Sequence, residues 1–179
     1  MAELLERGYE ATTMLGIARR AGASKETLYS WFTSKEGLFA ALIARNAERT
    51  AHDVAAGMAS DDPARAVLTR FAENVQALLL GQGAVAINRF AMQSPELSAI
   101  LLEYGRVQTG ALVERYLQKL MEEGMISTID PAEAFRLLYG LIIEDRQIRV
   151  LLGDEPPTAE SISRHAVVAV DRFLLLLRA

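Results

Sequence analysis

The sequence predicts an all-α fold, and three observations carry that expectation. Apolar residues recur at helical spacing along the whole chain. No alternating β-branched run bounded by turn residues is present, so strands are not expected. Helix-start signals, a Ser, Thr or Asp followed by proline or by an acid three positions on, separate the periodic segments. With 179 residues, 51% of them apolar, the chain can bury a sizeable core in one or two domains.

The elements follow in order. After a short N-terminal stub, Thr12 and Thr13 open a helix over 13–20, and Gly22 supplies the left-handed residue of a tight turn. Ser24 can cap a second helix over 24–30. Thr33 and Glu36 stand at capping-box spacing ahead of a long helix over 35–57. Asp62-Pro63 starts a helix over 62–80, and a glycine-rich turn leads into one over 85–93. Ser94-Pro95-Glu96 opens a segment over 95–123 that ends at Gly124. Asp130-Pro131, strengthened by Glu133, opens 131–152, which ends at Gly153. Pro156-Pro157 separates it from the last helix, 158–178.

Several function classes drop out. There is no Cys, hence no disulfide, thiolate metal site or Cys nucleophile. The two histidines, His52 and His165, are far apart in sequence, and no metalloprotease, hydrolase-elbow or P-loop motif is present. "GQGAVA", Gly81 to Ala86, fits a dinucleotide fingerprint with Glu103 downstream, but the preceding "RFAENVQALLL" is helical where a buried strand is required. No catalytic group, cofactor or metal is expected. Neither a signal peptide nor a membrane span is visible, which points to a cytoplasmic protein. The net charge of −4 argues against indiscriminate nucleic-acid binding, but residues 1–50 carry +1 and the remainder −5.

"TMLGIARRAGASKETLYSWF", Thr13 to Phe32, has the pattern of a helix-turn-helix. Ile17, Ala18, Leu28 and Phe32 face inward in this reading, and the second helix is free to enter a major groove. Lys25 and Tyr29 share one of its sides, Glu26 and Ser30 another. A cap at Ser24 leaves amide N–H groups for a phosphate, and Lys35 opens the next helix where a phosphate contact is natural. Glu26 can accept from a cytosine amine or stand solvated, and Trp31 can touch the DNA backbone or pack on its own domain.

The stretch "ERGYEATTMLGIARRAGASKETLYSWFTSKEGLFAAL" resembles the DNA-binding domain of TetR-family transcriptional regulators. The resemblance rests on Gly8-Tyr9, Thr12-Thr13, Ile17-Ala18, Ala21-Gly22, Ser24-Lys25, Thr27-Leu28-Tyr29, Phe32 and Ser34-Lys35-Glu36. It implies a homodimer with an N-terminal DNA-binding domain, 1–46, and a C-terminal effector-binding and dimerisation domain, 47–179. The DNA-contacting residues it implies are Thr12, Thr13, Ser24, Lys25, Glu26, Thr27, Tyr29, Ser30, Trp31 and Lys35. The expected partners are a palindromic double-stranded operator, a small-molecule effector and a second copy of the chain. The expected action is repression relieved by the effector. The family's first helix is longer than the few residues ahead of Gly8, which opens a second reading: a dimeric ligand-binding or interaction protein whose DNA grip is lost.

The second half is similar to the ligand-binding half of the AefR-like branch. Polar and aromatic residues that punctuate its apolar faces are effector-site candidates: Arg89, Met92, Gln93, Tyr104, Gln108, Tyr116 and Tyr139. Arg89 suits an anionic or carbonyl-bearing ligand, or pairs with Glu96 or Glu103. Leu174 to Leu177 cover every side of the last helix, so part of that surface needs a partner. Pairing helices 131–152 and 158–178 with their copies in a four-helix bundle would bury it.

Overall fold

The computed structural model describes residues 2–60, 62–92, 94–103 and 109–178. Among the described residues the chain is helical, with no strand. The N-terminal stub is itself a helix, α1 (Ala2–Ala11), kinked at Gly8, where φ is 73°. Glu3 on α1 pairs with Arg7 at 3.0 Å and with Arg20 at 3.5 Å, and Arg20 also holds both oxygens of Glu6. These ion pairs clamp α1 onto α2 (Met14–Ala21).

Thr13 caps α2 by accepting the Gly16 N–H at 3.0 Å. Gly22, at φ 65°, ends it, and the amides of Gly22 and Ala23 close onto the carbonyls of Arg19 and Ala18. α3 (Lys25–Phe32) leaves at once from the cap Ser24. Met14, Ala18 and Leu28 are buried at the crossing, with Ile17, Phe32 and Leu38 packed around them.

α4 (Lys35–Met58) is 24 residues long and so reaches about 36 Å. Its cap is Ser34, which accepts the Gly37 N–H at 3.1 Å, rather than Thr33. Thr33 sits at φ 59°, outside the extended geometry that a capping residue needs. The helix runs unbroken through the expected domain division at 46–47, so both halves share it. Phe39 and Ile43 pack against α6 (Gln82–Ala91) and α7 (Pro95–Leu101).

The larger half centres on α5 (Ala64–Leu80), α8 (Thr109–Glu122), α9 (Pro131–Ile143) and α11 (Ala159–Leu176). Leu68, Leu117, Leu138 and Phe173 meet there with no more than 1% exposure. Asp130 caps α9, accepting the Glu133 N–H at 2.8 Å, and Ser94 caps α7. Asp62 does not cap α5; its carboxylate binds Arg70 at 2.7 Å and the helix begins after Pro63.

One long predicted helix is divided: the segment 131–152 breaks at Glu144, φ 47°, into α9 and α10 (Arg146–Leu152). The segment 95–123 holds α7 and α8, and its residues 104–108 lie outside the described ones. Tertiary contacts explain the break at Glu144. α10 carries Val150 to Leu80 and Val85, and Arg146 to the fully buried Gln76. A straight continuation of α9 has no reason to reach either. No helix among the described residues is long and apolar enough to cross a membrane.

Candidate nucleic-acid interface and effector cavity

α3 presents its polar side outward because Leu28 is its one fully buried residue. Lys25, Glu26, Tyr29, Ser30 and Trp31 are all exposed, Trp31 by 70%. The Lys25 Nζ lies 5.5 Å from the Tyr29 ring centroid, so the cation and the phenol form one feature on the surface. Ser24 accepts the Thr27 N–H at 3.0 Å and shares a hydrogen bond with the Thr27 hydroxyl, while the Ser30 hydroxyl donates to the Thr27 carbonyl at 2.8 Å. Trp31 meets Phe32 edge-on with ring centroids 6.2 Å apart, yet most of its surface stays open.

One expectation about this surface changes. Thr12 is buried, with its hydroxyl donating to the Gly8 carbonyl at 2.6 Å. It therefore ties the end of α1 and does not reach outward. At the start of α3 the backbone N–H of Glu26 itself, and then the Ser24 hydroxyl, hold the Glu26 carboxyl below the usual carboxylate range, where the helix dipole also favours a negative charge. Thr13 remains exposed at the start of α2, and Lys35 is half-buried at the start of α4.

A cavity of about 280 Å³ lies under this domain, between α4, α5, α6 and α9. Ile43 and Ala47 of α4 form one wall, Phe71 and Val75 of α5 another, and Ile87 and Asn88 of α6 a third. Phe135 and Tyr139 close the far side, their rings 6.0 Å apart, and Gln147 of α10 enters from the end. Gly110 lets α8 approach α9 here: a Cβ would stand 3.0 Å from the Phe135 ring.

Of the predicted effector residues, Tyr139 lines this cavity. Arg89 does not. Its guanidinium donates to the carbonyls of Leu151 at 3.0 Å and Val150 at 3.1 Å, capping the end of α10, and it pairs with neither Glu96 nor Glu103. Met92 is exposed on the surface. Tyr116 is buried facing a separate cleft that His52, Arg70 and Asn74 also line, and burial pushes its phenol up. Gln93, Tyr104 and Gln108 lie outside the described residues. Sequence reasoning missed Asn88, Thr109 and Gln147. Each is a polar residue on a mostly apolar segment, the same signal that selected Gln93 and Gln108.

The last two helices leave an apolar surface open. On α11, Ala166, Ala169, Val170 and Phe173 are buried, while Val168 and Leu175 are exposed by 43% and 69%. Of the four consecutive leucines, Leu177 is buried, Leu174 half-buried, and Leu175 and Leu176 face out. Gly140 on α9 is exposed with open space where a side chain would be.

Comparison with known proteins agrees with this arrangement. Residues 1–42 match the profile described as "Bacterial regulatory proteins, tetR family", and residues 66–177 match "AefR-like transcriptional repressor, C-terminal domain". The HTH-type transcriptional repressor ComR of Escherichia coli is 46% identical over 46 residues, which is 26% of this chain and 22% of that protein. A TetR transcriptional regulator from Agrobacterium tumefaciens superposes with TM-score 0.74 at 32% identity, over 98% of this chain and 89% of that one. A structure from Mesorhizobium loti, described as a TetR-family regulator, superposes with TM-score 0.82 at 26% identity, over 99% and 92%. The first profile covers the helix-turn-helix and the start of the shared helix α4, and the second covers α8, α9 and α11 of the half that holds the cavity. The chain belongs to the TetR family of bacterial transcriptional regulators.

Proposed function

We propose that the protein is a ligand-responsive repressor that binds a palindromic operator as a dimer and is released by a small molecule held in the cavity between α4, α5, α6 and α9. The observation that carries this is α4. One helix packs its first turns under the recognition helix through Leu38 and presents Ile43 and Ala47 to the cavity. An occupant of the cavity must therefore fit one tilt of α4 better than another, and it shifts the population only by that difference.

In this reading Lys25, Tyr29 and Ser30 probe the major groove, while Thr13, Ser24, Thr27, Trp31 and Lys35 meet phosphates or the groove edge. Thr12 supports the surface from below. The exposed face of α9 and α11 pairs with its copy, which sets two recognition helices about 34–36 Å apart, one turn of DNA. Such a regulator works in the bacterial cytoplasm, where its operator is.

The test is fluorescence anisotropy with DNA from upstream of the protein's own gene, against scrambled DNA, at two salt concentrations. Selective binding that weakens with salt is expected. Lys35→Ala should weaken binding to every sequence, while Lys25→Ala or Tyr29→Phe should also change preference among sequences. If none of these substitutions alters DNA binding, the assigned surface is wrong. If no operator in a fair panel is bound, the chain acts instead as a ligand-binding or interaction protein.

A further inference from the structure

On the reading that α3 enters the major groove, we infer that each operator half-site carries a guanine read by Lys25, and that the Tyr29 ring is what makes Lys25 select it. Lys25 is the first residue of α3, and the first residues of a recognition helix are the ones that reach base edges. Leu28 is buried against Met14 and Ala18 of α2, while Lys25 and Tyr29 are both exposed.

The geometry restricts the cation. The Lys25 Nζ stands 5.5 Å from the Tyr29 ring centroid, so the ring takes one side of the ammonium. Residues four apart on a helix share a side, and a tyrosine with two rotatable side-chain bonds is stiff where the lysine stem is not. The N–H groups turned away from the ring stay available to acceptors. The adjacent carboxylate, Glu26, is held first by its own backbone N–H and then by the Ser24 hydroxyl.

The major-groove edges of the bases decide what such an ammonium meets. Guanine offers two acceptors side by side, O6 and N7. Adenine sets an N6 amine beside its single acceptor, thymine a methyl group beside O4, and cytosine presents an amine. A lysine free to swing finds a phosphate oxygen as readily as a base. One held against a ring at the start of the helix keeps its donors over the base edges, and guanine satisfies them best. Tyr29 is thus a positioning residue for Lys25 through its ring, a role separate from any contact that its hydroxyl makes.

The test is selection by the full chain from a duplex library with every position randomised, followed by anisotropy on the enriched sequence. The parent should enrich inverted half-sites with a guanine at one fixed position in each. In the Lys25→Ala selection that position should accept every base. Tyr29→Leu, or Tyr29→Gln if leucine unfolds the domain, removes the ring but keeps Lys25; the same position should flatten while binding stays salt-dependent. Tyr29→Phe keeps the ring, and so the guanine, whatever the lost hydroxyl changes elsewhere. Replacing that guanine by 7-deazaguanine removes N7 alone and should weaken the parent about fivefold, yet leave Lys25→Ala unchanged. Trp31 is the only tryptophan of the chain and lies on the same helix, so a shift in its emission on adding DNA shows that α3 still docks in each variant.

A guanine that persists with Lys25→Ala overturns the inference. So does a ringless variant that docks and keeps the guanine, or a 7-deazaguanine site bound as tightly as the parent site. An enriched palindrome with no such guanine also overturns it, and leaves the wider DNA-binding reading standing. If the parent enriches no sequence, both fall.

Discussion

Arg146→Met tests the account of why α9 and α10 are separate helices. Gln76 is fully buried on α5, and its Oε1 accepts from the Arg146 Nη1 on α10. The Arg146 Nη2 donates to Ser161 on α11 at 3.1 Å, and the Gln76 Nε2 donates to the Ala72 carbonyl at 3.2 Å. Methionine preserves the length of the side chain but removes both donors. The Gln76 carbonyl is then buried without its partner, which costs about 1–3 kcal/mol. For a chain of this size that lowers the melting temperature by about 2–4 °C per kcal/mol. Gln76→Leu alone leaves a half-buried guanidinium short of an acceptor and costs a similar amount.

The double variant Gln76→Leu/Arg146→Met replaces the pair with apolar groups of similar size and should be close to neutral. The two single effects therefore overstate the double by about 1 kcal/mol or more. Urea unfolding followed by far-UV circular dichroism measures all four corners of the cycle. A double variant that loses the sum of the singles refutes the coupling, and with it the explanation for the break at Glu144.

Three further expectations concern other parts of the molecule. Glu26→Gln removes a carboxylate from the start of the recognition helix, so binding should tighten several-fold on operator and scrambled DNA alike; lost selectivity at unchanged scrambled binding would show instead that Glu26 reads a base. Gly37→Ala places a Cβ against the Phe32 carbonyl oxygen at the α3–α4 junction, so it should cost about 1–3 kcal/mol and unfold the DNA-binding half first; a melting curve identical to the parent's refutes that tight junction. Arg65 holds the Asp171 carboxyl below its ordinary range through bonds of 2.6 and 2.8 Å, so the stability this pair adds is present above the ordinary carboxylate pKa and is lost as pH falls through the lowered one. Arg65→Gln should accordingly melt earlier at neutral pH, and the gap should close as pH falls through the lowered carboxyl pKa; a gap that is unchanged by acid contradicts this.

The dimer surface has its own test. Leu175→Asp with Val168→Asp puts charges on the exposed face of α11 without touching its buried side, so sedimentation should shift from dimer to monomer with helical content unchanged. Sedimentation identical to the parent's removes this face from the proposed interface.

Legibility differed sharply between the two halves. In the first fifty residues the chemistry is local. Gly22 is needed for a left-handed turn, Ser24 for a cap, and Ala18 and Leu28 for the inward side, and each stands where its sequence neighbours imply. The polar face of α3 follows from the 3.6-residue period once its buried side is known. The same local logic went wrong where a side chain had two possible partners. Thr33 and Ser34 are adjacent capping residues, and the backbone at Thr33 selected the second. Asp62 had a cap or an arginine to satisfy, and Arg70, eight positions on along α5, took it.

In the second half the sequence by itself determined that the chain is helical, where Asp130, Ser94, Gly124 and Gly153 mark helix ends, and that the four leucines at 174–177 face both inward and outward. These are consequences of backbone geometry within a few residues. Only the tertiary structure decided which polar side chains reach the cavity. Arg89 looks available in sequence, but the end of α10 lies across α6 with two open carbonyls and takes it. Gln147 looks like a surface residue, but the break at Glu144 turns it inward. A ligand cavity is assembled from helices whose relative placement depends on contacts 60 or more positions apart, such as Arg146 with Gln76 and Arg89 with Leu151. No periodicity read along one segment carries that information, because it belongs to the packing of several segments together.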